Sequence, residues 1–223
     1  MKKIEVLQNI LEANESIAAR NQQLLDKYKV FTMNIMSAPG AGKTSLILQT
    51  MARLKNKLNI AVIEGDVAST LDAEKVQNEA IAVVQINTRK MPESCSLIAA
   101  MIEQALKDLP LENADLLLIE NVGNLICPSE FALGEHKRVV ISSLPEGDDK
   151  PFKYPVMFAD VDAVIINKMD FLPYVDFDIP AFRRTVQGLN PKAKIFEVSC
   201  KTGAGLEEWC SWLVQEVQTY RKH

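Results

Sequence analysis

One stretch of the chain has the residue types and the spacing needed to bind phosphate. It is the eight-residue pattern Ser37-Ala38-Pro39-Gly40-Ala41-Gly42-Lys43-Thr44. Glycines let backbone N–H groups turn inward around phosphate oxygens, and the N-terminus of a following helix adds a favourable dipole. In such a loop the lysine reaches the β- and γ-phosphates and the hydroxyl ligates Mg²⁺. The pattern predicts a P-loop in which Ser37 replaces the first glycine, the alternative being a glycine-rich turn without a ligand.

The expected nucleotide contacts of this loop are Pro39, Gly40, Ala41, Gly42, Lys43, Thr44 and Ser45. Of these, Lys43 is also expected to be catalytic and Thr44 to be a magnesium ligand.

A second motif has the chemistry to read a guanine base. Asn167-Lys168-Met169-Asp170 directly follows the apolar run 163–166. Guanine presents N1–H and an exocyclic amine side by side, and the Asp170 carboxylate can accept from both. The stem of Lys168 can lie over the base, and Asn167 can tie this loop to the P-loop. The alternative is an exposed polar turn.

A further loop follows the last apolar run and contains Ser199, Cys200 and Lys201. Its position suits a loop whose backbone helps to hold the base, and these three residues are included among the expected nucleotide contacts.

Acidic residues follow two other apolar runs, in Glu64-Gly65-Asp66 and in Glu120-Asn121-Val122-Gly123-Asn124. Mg²⁺ prefers oxygen ligands, so Asp66 and Glu120 are predicted magnesium ligands with a catalytic role, unless they are ordinary solvated acids. The Gly123 N–H is predicted to contact the γ-phosphate. No glutamine or arginine can be singled out as a hydrolytic residue, which fits a slow GTPase used as a switch.

Composition limits the partners and the compartment. The net charge is -4, and the sequence has no run of Lys or Arg, which argues against nucleic acid as a partner. The first residues mix charges without a long apolar stretch, so we expect neither a signal peptide nor a membrane anchor. The cysteines at 95, 127, 200 and 210 show no close pairing and are expected to be free thiols or metal ligands. We therefore expect a soluble cytoplasmic protein.

Apolar runs alternate with helical patterns along the chain, which predicts a sheet that is mostly parallel. The predicted strands are 30–36, 60–63, 82–86, 116–119, 139–141, 163–166 and 195–198, and the clearest predicted helices are 44–57, 71–79, 95–108, 178–189 and 205–220. The fold class is α/β: a three-layer P-loop NTPase with about seven strands covered by helices on both faces. Residues 1–28 are predicted to form an amphipathic helical extension of one or two helices, and 29–223 the GTPase domain.

The combination of E-G-D, Q-I-N-T, E-N-V-G-N-L-I-C-P, L-P-E-G-D-D-K-P and N-K-M-D closely resembles the HypB family of SIMIBI-class GTPases, from about residue 30 to about residue 215. The resemblance implies GTP hydrolysis that assists nickel insertion into [NiFe]-hydrogenase. It also implies a nucleotide-dependent homodimer, a HypA-type metallochaperone as partner, and the hydrogenase large subunit or its maturation complex as client.

In that family a metal site near the switch loops uses a Cys-His pair and the cysteine of N-L-I-C-P. The matching residues here are Cys95-Ser96 and Cys127, so the histidine is missing. The resemblance implies Ni²⁺ or Zn²⁺ at Cys95 and Cys127, and a two-fold dimer would supply four thiolates. His136 could replace the imidazole, although we expect it to be a surface residue.

Two other functions remain open from the sequence. One is a GTPase of the same fold that serves another metalloenzyme or has lost its metal role, as the missing histidine suggests. The other is an ATP-dependent kinase or a non-catalytic nucleotide-binding module, against which Asp170 argues. We expect Cys200 and Cys210 to be loop and core residues.

Overall fold

The computed structural model describes residues 3–65, 79–87 and 95–222, with side chains from residue 9 onwards. The strands are β1 Phe31–Ser37, β2 Ile60–Glu64, β3 Ala82–Gln85, β4 Leu116–Glu120, β5 Lys137–Ser143, β6 Ala163–Asn167 and β7 Lys194–Glu197. The α-helices are α1 Lys3–Tyr28, α2 Lys43–Leu54, α3 Ala99–Ala105, α4 Lys150–Lys153, α5 Pro155–Ala159, α6 Ile179–Leu189 and α7 Leu206–Lys222. Short 3₁₀ helices cover Leu106–Asp108, Leu111–Asn113, Cys127–Ser129, Leu144–Glu146 and Met169–Tyr174.

The seven strands form one sheet in the order β3-β2-β4-β1-β5-β6-β7, and every pairing is parallel. The predicted α/β fold with about seven strands is therefore confirmed. Strand β1 lies at the centre, between β4 and β5. Because the strands are parallel, the loops that leave their carboxyl ends meet at one edge of the sheet, where open α/β sheets bind ligands.

Helices cover both faces of the sheet, which explains the continuous apolar runs of the strands. On one face, α2 and α7 pack over a cluster that includes Ile35, Leu118 and Trp209. On the other face, α1 and α3 cover one half, around Leu25, and α5 and α6 cover the other half, around Phe158. Burial of these strands on both faces supplies most of the driving force for the fold.

The predicted element boundaries differ from the observed ones mainly where proline or extended backbone intervenes. The predicted helix 95–108 begins only at Ala99, and the predicted helix 71–79 lies outside the described residues except for its last position. Helices α4 and α5 were not predicted: each has only four or five residues, with proline in the first turn. Helices that short give no readable apolar period.

His136 is partly buried, so the prediction of an ordinary surface histidine is wrong. Its side chain is only 9% exposed, and Nδ1 accepts a hydrogen bond from the Thr32 N–H at 2.9 Å. Nε2 therefore carries the hydrogen and donates it to Asp26 Oδ1 at 2.9 Å, and the Tyr220 hydroxyl donates to the same oxygen at 2.6 Å. The imidazole thus joins α1, β1 and α7 at the amino-terminal edge of the sheet.

No helix in the described part of the chain is both long enough and apolar enough to cross a bilayer.

The variant Asp26→Asn tests this cluster through the pH dependence of stability. Partial burial raises the pKa of Asp26, but hydrogen bonds from Tyr220 and His136 outweigh burial and lower that pKa overall. A lowered pKa adds stability above the unfolded-state value of about 3.9, and this contribution is lost as the pH falls through the folded-state value. We expect urea unfolding of wild type and variant to differ most near neutral pH and to converge in acid. A difference that stays constant over that range would contradict the assignment.

Candidate functional site

The P-loop leaves β1 at the centre of the carboxyl edge and enters α2 at Lys43. Gly40 and Gly42 have φ values of +75° and +106°, which side chains rarely tolerate. A Cβ on Gly42 would also collide with the Asn167 amide. Ser37 is tolerated in place of the first glycine because it is the last residue of β1 and shares the extended backbone of the strand.

Two polar side chains of the P-loop point along this edge. Lys43 is 5% exposed, and its Nζ donates to Ser37 Oγ at 3.3 Å. The Thr44 hydroxyl donates to Glu120 Oε1 at 2.7 Å. The predicted magnesium ligands Thr44 and Glu120 are thus in direct contact, although they are far apart in sequence.

Two carboxylates lie side by side where neighbouring strands end. Glu64 of β2 pairs in register with Glu120 of β4, and the two residues are 1% and 3% exposed. Neighbouring strands are about 4.8 Å apart, so the two acids share one face of the sheet edge. Sequence reasoning had favoured Asp66, which lies outside the described residues. Glu64 is identified only by its register with Glu120, and the register of two strands cannot be read from the sequence.

Gly123 lies against the P-loop, since a Cβ placed on it would approach Pro39 Cα to 3.1 Å. The loop that leaves β4 therefore packs on the loop that leaves β1.

A cavity of about 320 Å³ adjoins the P-loop and contains the predicted base-reading residues. Its lining includes Gly42, Ser45, Asn167, Lys168, Asp170, Phe171, Cys200 and Lys201. One oxygen of Asp170 accepts from the Ser199 hydroxyl at 2.6 Å, and the other lies 3.9 Å from Lys201 Nζ. These contacts fix the carboxylate at the cavity wall.

Asn167 and Lys168 join this cavity to the P-loop. Asn167 Nδ2 donates to the Ala41 carbonyl at 2.9 Å, which is the predicted tie between the loops. Lys168 Nζ donates to the Gly40 carbonyl at 2.7 Å, so its stem crosses the cavity. The Cys200 N–H donates to Asn167 Oδ1 at 3.3 Å, and burial raises the pKa of the Cys200 thiol to about 11.

Cys95 and Cys127 are joined by a disulfide bond, with a Cα–Cα distance of 6.0 Å. The expectation of free thiols is therefore wrong for this pair, although Cys200 and Cys210 are free. The loop after β4 and the segment before α3 bring the two sulfurs together across a sequence separation of 32. Ser96, which replaces the expected histidine, is buried, and its hydroxyl donates to the Leu97 carbonyl at 2.9 Å.

Other side chains of the described residues add no further metal-ligand group to this cysteine pair. Among residues 3–65, 79–87 and 95–222, no group of three or more His, Cys, Asp and Glu side chains is placed to hold a metal ion. His136 is at the opposite edge of the sheet and lines a cavity of about 940 Å³ there. None of the predicted site residues lines that larger cavity, so its size does not make it the candidate site.

Taken together, a glycine-rich phosphate loop, a hydroxyl–carboxylate pair and a carboxylate-lined base cavity at one edge of a parallel sheet define a P-loop nucleotide-binding protein. Residues 31–197 match the family described as "CobW/HypB/UreG, nucleotide-binding domain". The chain belongs to this family and, within it, to the hydrogenase maturation factors called HypB.

Relatives in sequence and structure support this assignment. The chain is 43% identical over 219 residues to hydrogenase maturation factor HypB of Rhizobium leguminosarum bv. viciae, covering 98% of this chain and 72% of the relative. The crystal structure of HypB from Archaeoglobus fulgidus matches with a TM-score of 0.87 at 41% identity, over 92% of this chain and 99% of that one. HypB from Helicobacter pylori, solved in complex with nickel, matches with a TM-score of 0.85 at 38% identity, over 93% and 96%.

The four cysteines are expected to differ sharply in alkylation. Burial raises the pKa values of Cys200 and Cys210 to about 11, so near pH 8 only about one in a thousand of these thiols is ionised. We expect iodoacetamide to label the native, unreduced protein very slowly. Brief reduction should release two fast sites, identified by mass spectrometry as Cys95 and Cys127.

Unfolded, reduced protein provides the control for this experiment, because all four cysteines should then react. Fast labelling of Cys95 or Cys127 without reductant would contradict the disulfide.

Proposed function

We propose that the chain is a Mg²⁺-dependent GTPase that assists nickel insertion into [NiFe]-hydrogenase in the cytoplasm. The observation that carries the guanine specificity is the position of Asp170, held at the wall of the cavity beside the P-loop. A carboxylate there offers two acceptors to the two donors of guanine, whereas adenine presents no such donor pair.

The residues of the carboxyl edge fit a bound magnesium ion. The donor set is the Thr44 hydroxyl and the carboxylate of Glu120, beside the carboxylate of Glu64. Buried charges of the same sign on neighbouring strands are stabilised by a divalent cation with oxygen ligands. When bound, Mg²⁺ neutralises the negative charge of the phosphates.

The phosphate chain is bound by the protein itself. Backbone N–H groups of the P-loop, opened inward by Gly40 and Gly42, contact the phosphates, and Lys43 reaches them from its buried position. Gly123, packed on Pro39, offers its N–H to the γ-phosphate. Loss of that contact after hydrolysis would release the loop that leads to Cys127, as in GTPase switches that respond to the γ-phosphate.

The metal cargo is proposed to bind at Cys95 and Cys127. The disulfide shows that the two sulfurs can approach each other closely, and a thiolate pair is a ligand set for soft or borderline metals. The disulfide must first be reduced, because thiolates are the metal ligands. A nucleotide-dependent homodimer would complete the site with a second thiolate pair, and a HypA-type metallochaperone and the hydrogenase large subunit would be the metal-transfer partners.

One observation favours a second function, a GTPase of this family whose metal role is lost or serves another metalloenzyme. Ser96, at the position of the expected histidine, is buried with its hydroxyl bonded to the Leu97 carbonyl. It therefore offers no imidazole to a metal, and the metal role rests on thiolates alone.

Asp170→Ala tests the guanine assignment. Loss of the two charge-assisted bonds is expected to weaken GTP binding by roughly 100-fold and to leave ATP binding unchanged. The measurement is competition against a fluorescent GDP analogue with purified protein. Asp176→Ala, which removes an exposed carboxylate six residues away, should bind like wild type. A wild-type preference for ATP, or full GTP affinity in Asp170→Ala, would overturn the proposal.

Titration of reduced protein with Ni²⁺ or Zn²⁺ tests the cargo site, with GDP or a non-hydrolysable GTP analogue present. We expect thiolate charge-transfer absorbance that depends on the nucleotide and that disappears in Cys127→Ala but persists in Cys210→Ala. The second variant removes a free, buried thiol of α7 and controls for any loss of stability. Absence of metal binding in both nucleotide states would favour the GTPase without a metal role.

A further inference from the structure

Two asparagines of α1 point into the protein on one face of that helix. Asn14 and Asn21 are seven residues apart, which places them on the same face, two turns from each other. They are 7% and 1% exposed, and Ala18 between them is 4% exposed. Buried amides are found where they make hydrogen bonds, because leaving them without partners costs free energy.

The two amides bridge the same pair of backbone segments. Asn14 Oδ1 accepts from the Ala99 N–H at 2.8 Å, and its Nδ2 donates to the Ala132 carbonyl at 2.8 Å. Asn21 Nδ2 donates to the Ala99 carbonyl at 2.9 Å and to the Leu133 carbonyl at 3.0 Å. Helix α1 thus holds both backbone polar groups of Ala99 and two carbonyls of the other segment.

Both segments carry a cysteine of the pair. Cys95 lies four residues before Ala99, and Cys127 lies five residues before Ala132. Ala99 is the first residue of α3, so its N–H has no partner within that helix, and the preceding Ile98 has no polar side chain with which to cap it. Asn14 supplies this cap from another helix, and so fixes the segment that follows Cys95.

The segment that follows Cys127 packs directly on the α1 backbone. Gly134 has a φ of +99°, and a Cβ on it would come within 2.7 Å of the Ala18 carbonyl oxygen. Only glycine allows this approach, which brings Ala132 and Leu133 within hydrogen-bonding distance of the two asparagines. The close contact is therefore a second, independent anchor of this segment on α1.

We infer that Asn14 and Asn21 are positioning residues that set the separation of Cys95 and Cys127. Helix α1, outside the nucleotide-binding motifs, then determines how closely the two sulfurs approach. This inference concerns the proposed cargo site, but only its consequence for metal binding rests on the proposed function. The approach of the sulfurs can be measured without any metal.

The test measures the equilibrium of the disulfide in glutathione buffers. Two glutathione thiols supply the two electrons, the Cys95–Cys127 bond breaks, two protein thiols form, and one glutathione disulfide is released. The equilibrium constant gives the effective concentration of one thiol at the other. Asn14→Leu and Asn21→Leu keep side-chain size and remove the hydrogen bonds. We expect each to lower this effective concentration about tenfold or more.

A matched control removes a bond of the same kind elsewhere. Asn190→Leu loses a hydrogen bond from Nδ2 to the Val161 carbonyl at 2.8 Å, on the side of the sheet that carries α6. It should leave the thiol–disulfide equilibrium unchanged, and all three variants should bind GDP as wild type does. If a leucine variant does not fold, the experiment uses Asn14→Asp instead. This substitution keeps an acceptor for the Ala99 N–H and loses the donor to the Ala132 carbonyl.

The inference would be overturned if the Asn14 and Asn21 variants both had the thiol–disulfide equilibrium of wild type. It would also be overturned if Asn190→Leu shifted that equilibrium equally, because such a shift would indicate general destabilisation. Zn²⁺ affinity of the reduced proteins separates this inference from the proposed function. If wild type binds no Zn²⁺, the proposed cargo role is wrong. The inference about Asn14 and Asn21 is then still decided by the thiol–disulfide equilibria of their variants. A wild type that binds Zn²⁺, with variants about tenfold weaker, supports both.

Discussion

The parallel pairing of β1 with β4 is the constraint on which the rest of the site depends. It places Ile35 opposite Glu120, so that the P-loop and the loop after β4 leave the sheet side by side. The Thr44–Glu120 hydrogen bond and the contact of Gly123 with Pro39 both follow from that register. An antiparallel β4 would carry its acid to the other edge, away from the P-loop.

The segment that leaves β4 also connects the nucleotide end of the site with the cysteines. Asn121 Oδ1 accepts from the Leu97 N–H at 3.1 Å, and its Nδ2 donates to Asn34 Oδ1 at 3.1 Å. One buried amide therefore joins β1 to the segment that follows Cys95, while the same backbone continues through Gly123 to Cys127. Under the proposed function, and with the disulfide reduced, a shift of this loop on loss of the γ-phosphate would move Cys127 relative to Cys95 and so supply the two-state element that coupling between sites requires.

Features that a short run of residues determines could be predicted from the sequence, and features that depend on distant partners could not. The P-loop and Asn167–Asp170 follow from local spacing, and the strands follow from apolar runs. The hydrogen bond of His136 depends on Asp26, which is 110 residues away, and the register of Glu64 with Glu120 depends on strand order. The disulfide likewise joins two loops whose approach is fixed by Asn14 and Asn21, at separations of 78 to 118 residues.

The number of ligands decides what the cysteine pair can do. Within the described residues one chain brings two sulfurs together, and Ser96 adds a hydroxyl already bonded to the Leu97 carbonyl. Zinc in proteins is held by four ligands in most structural sites and by three in catalytic ones, so two thiolates do not complete either kind of site. A two-fold axis through the pair would double the set to four thiolates. Under the proposed function, metal binding and dimer formation are therefore one event, with one metal ion shared by two chains.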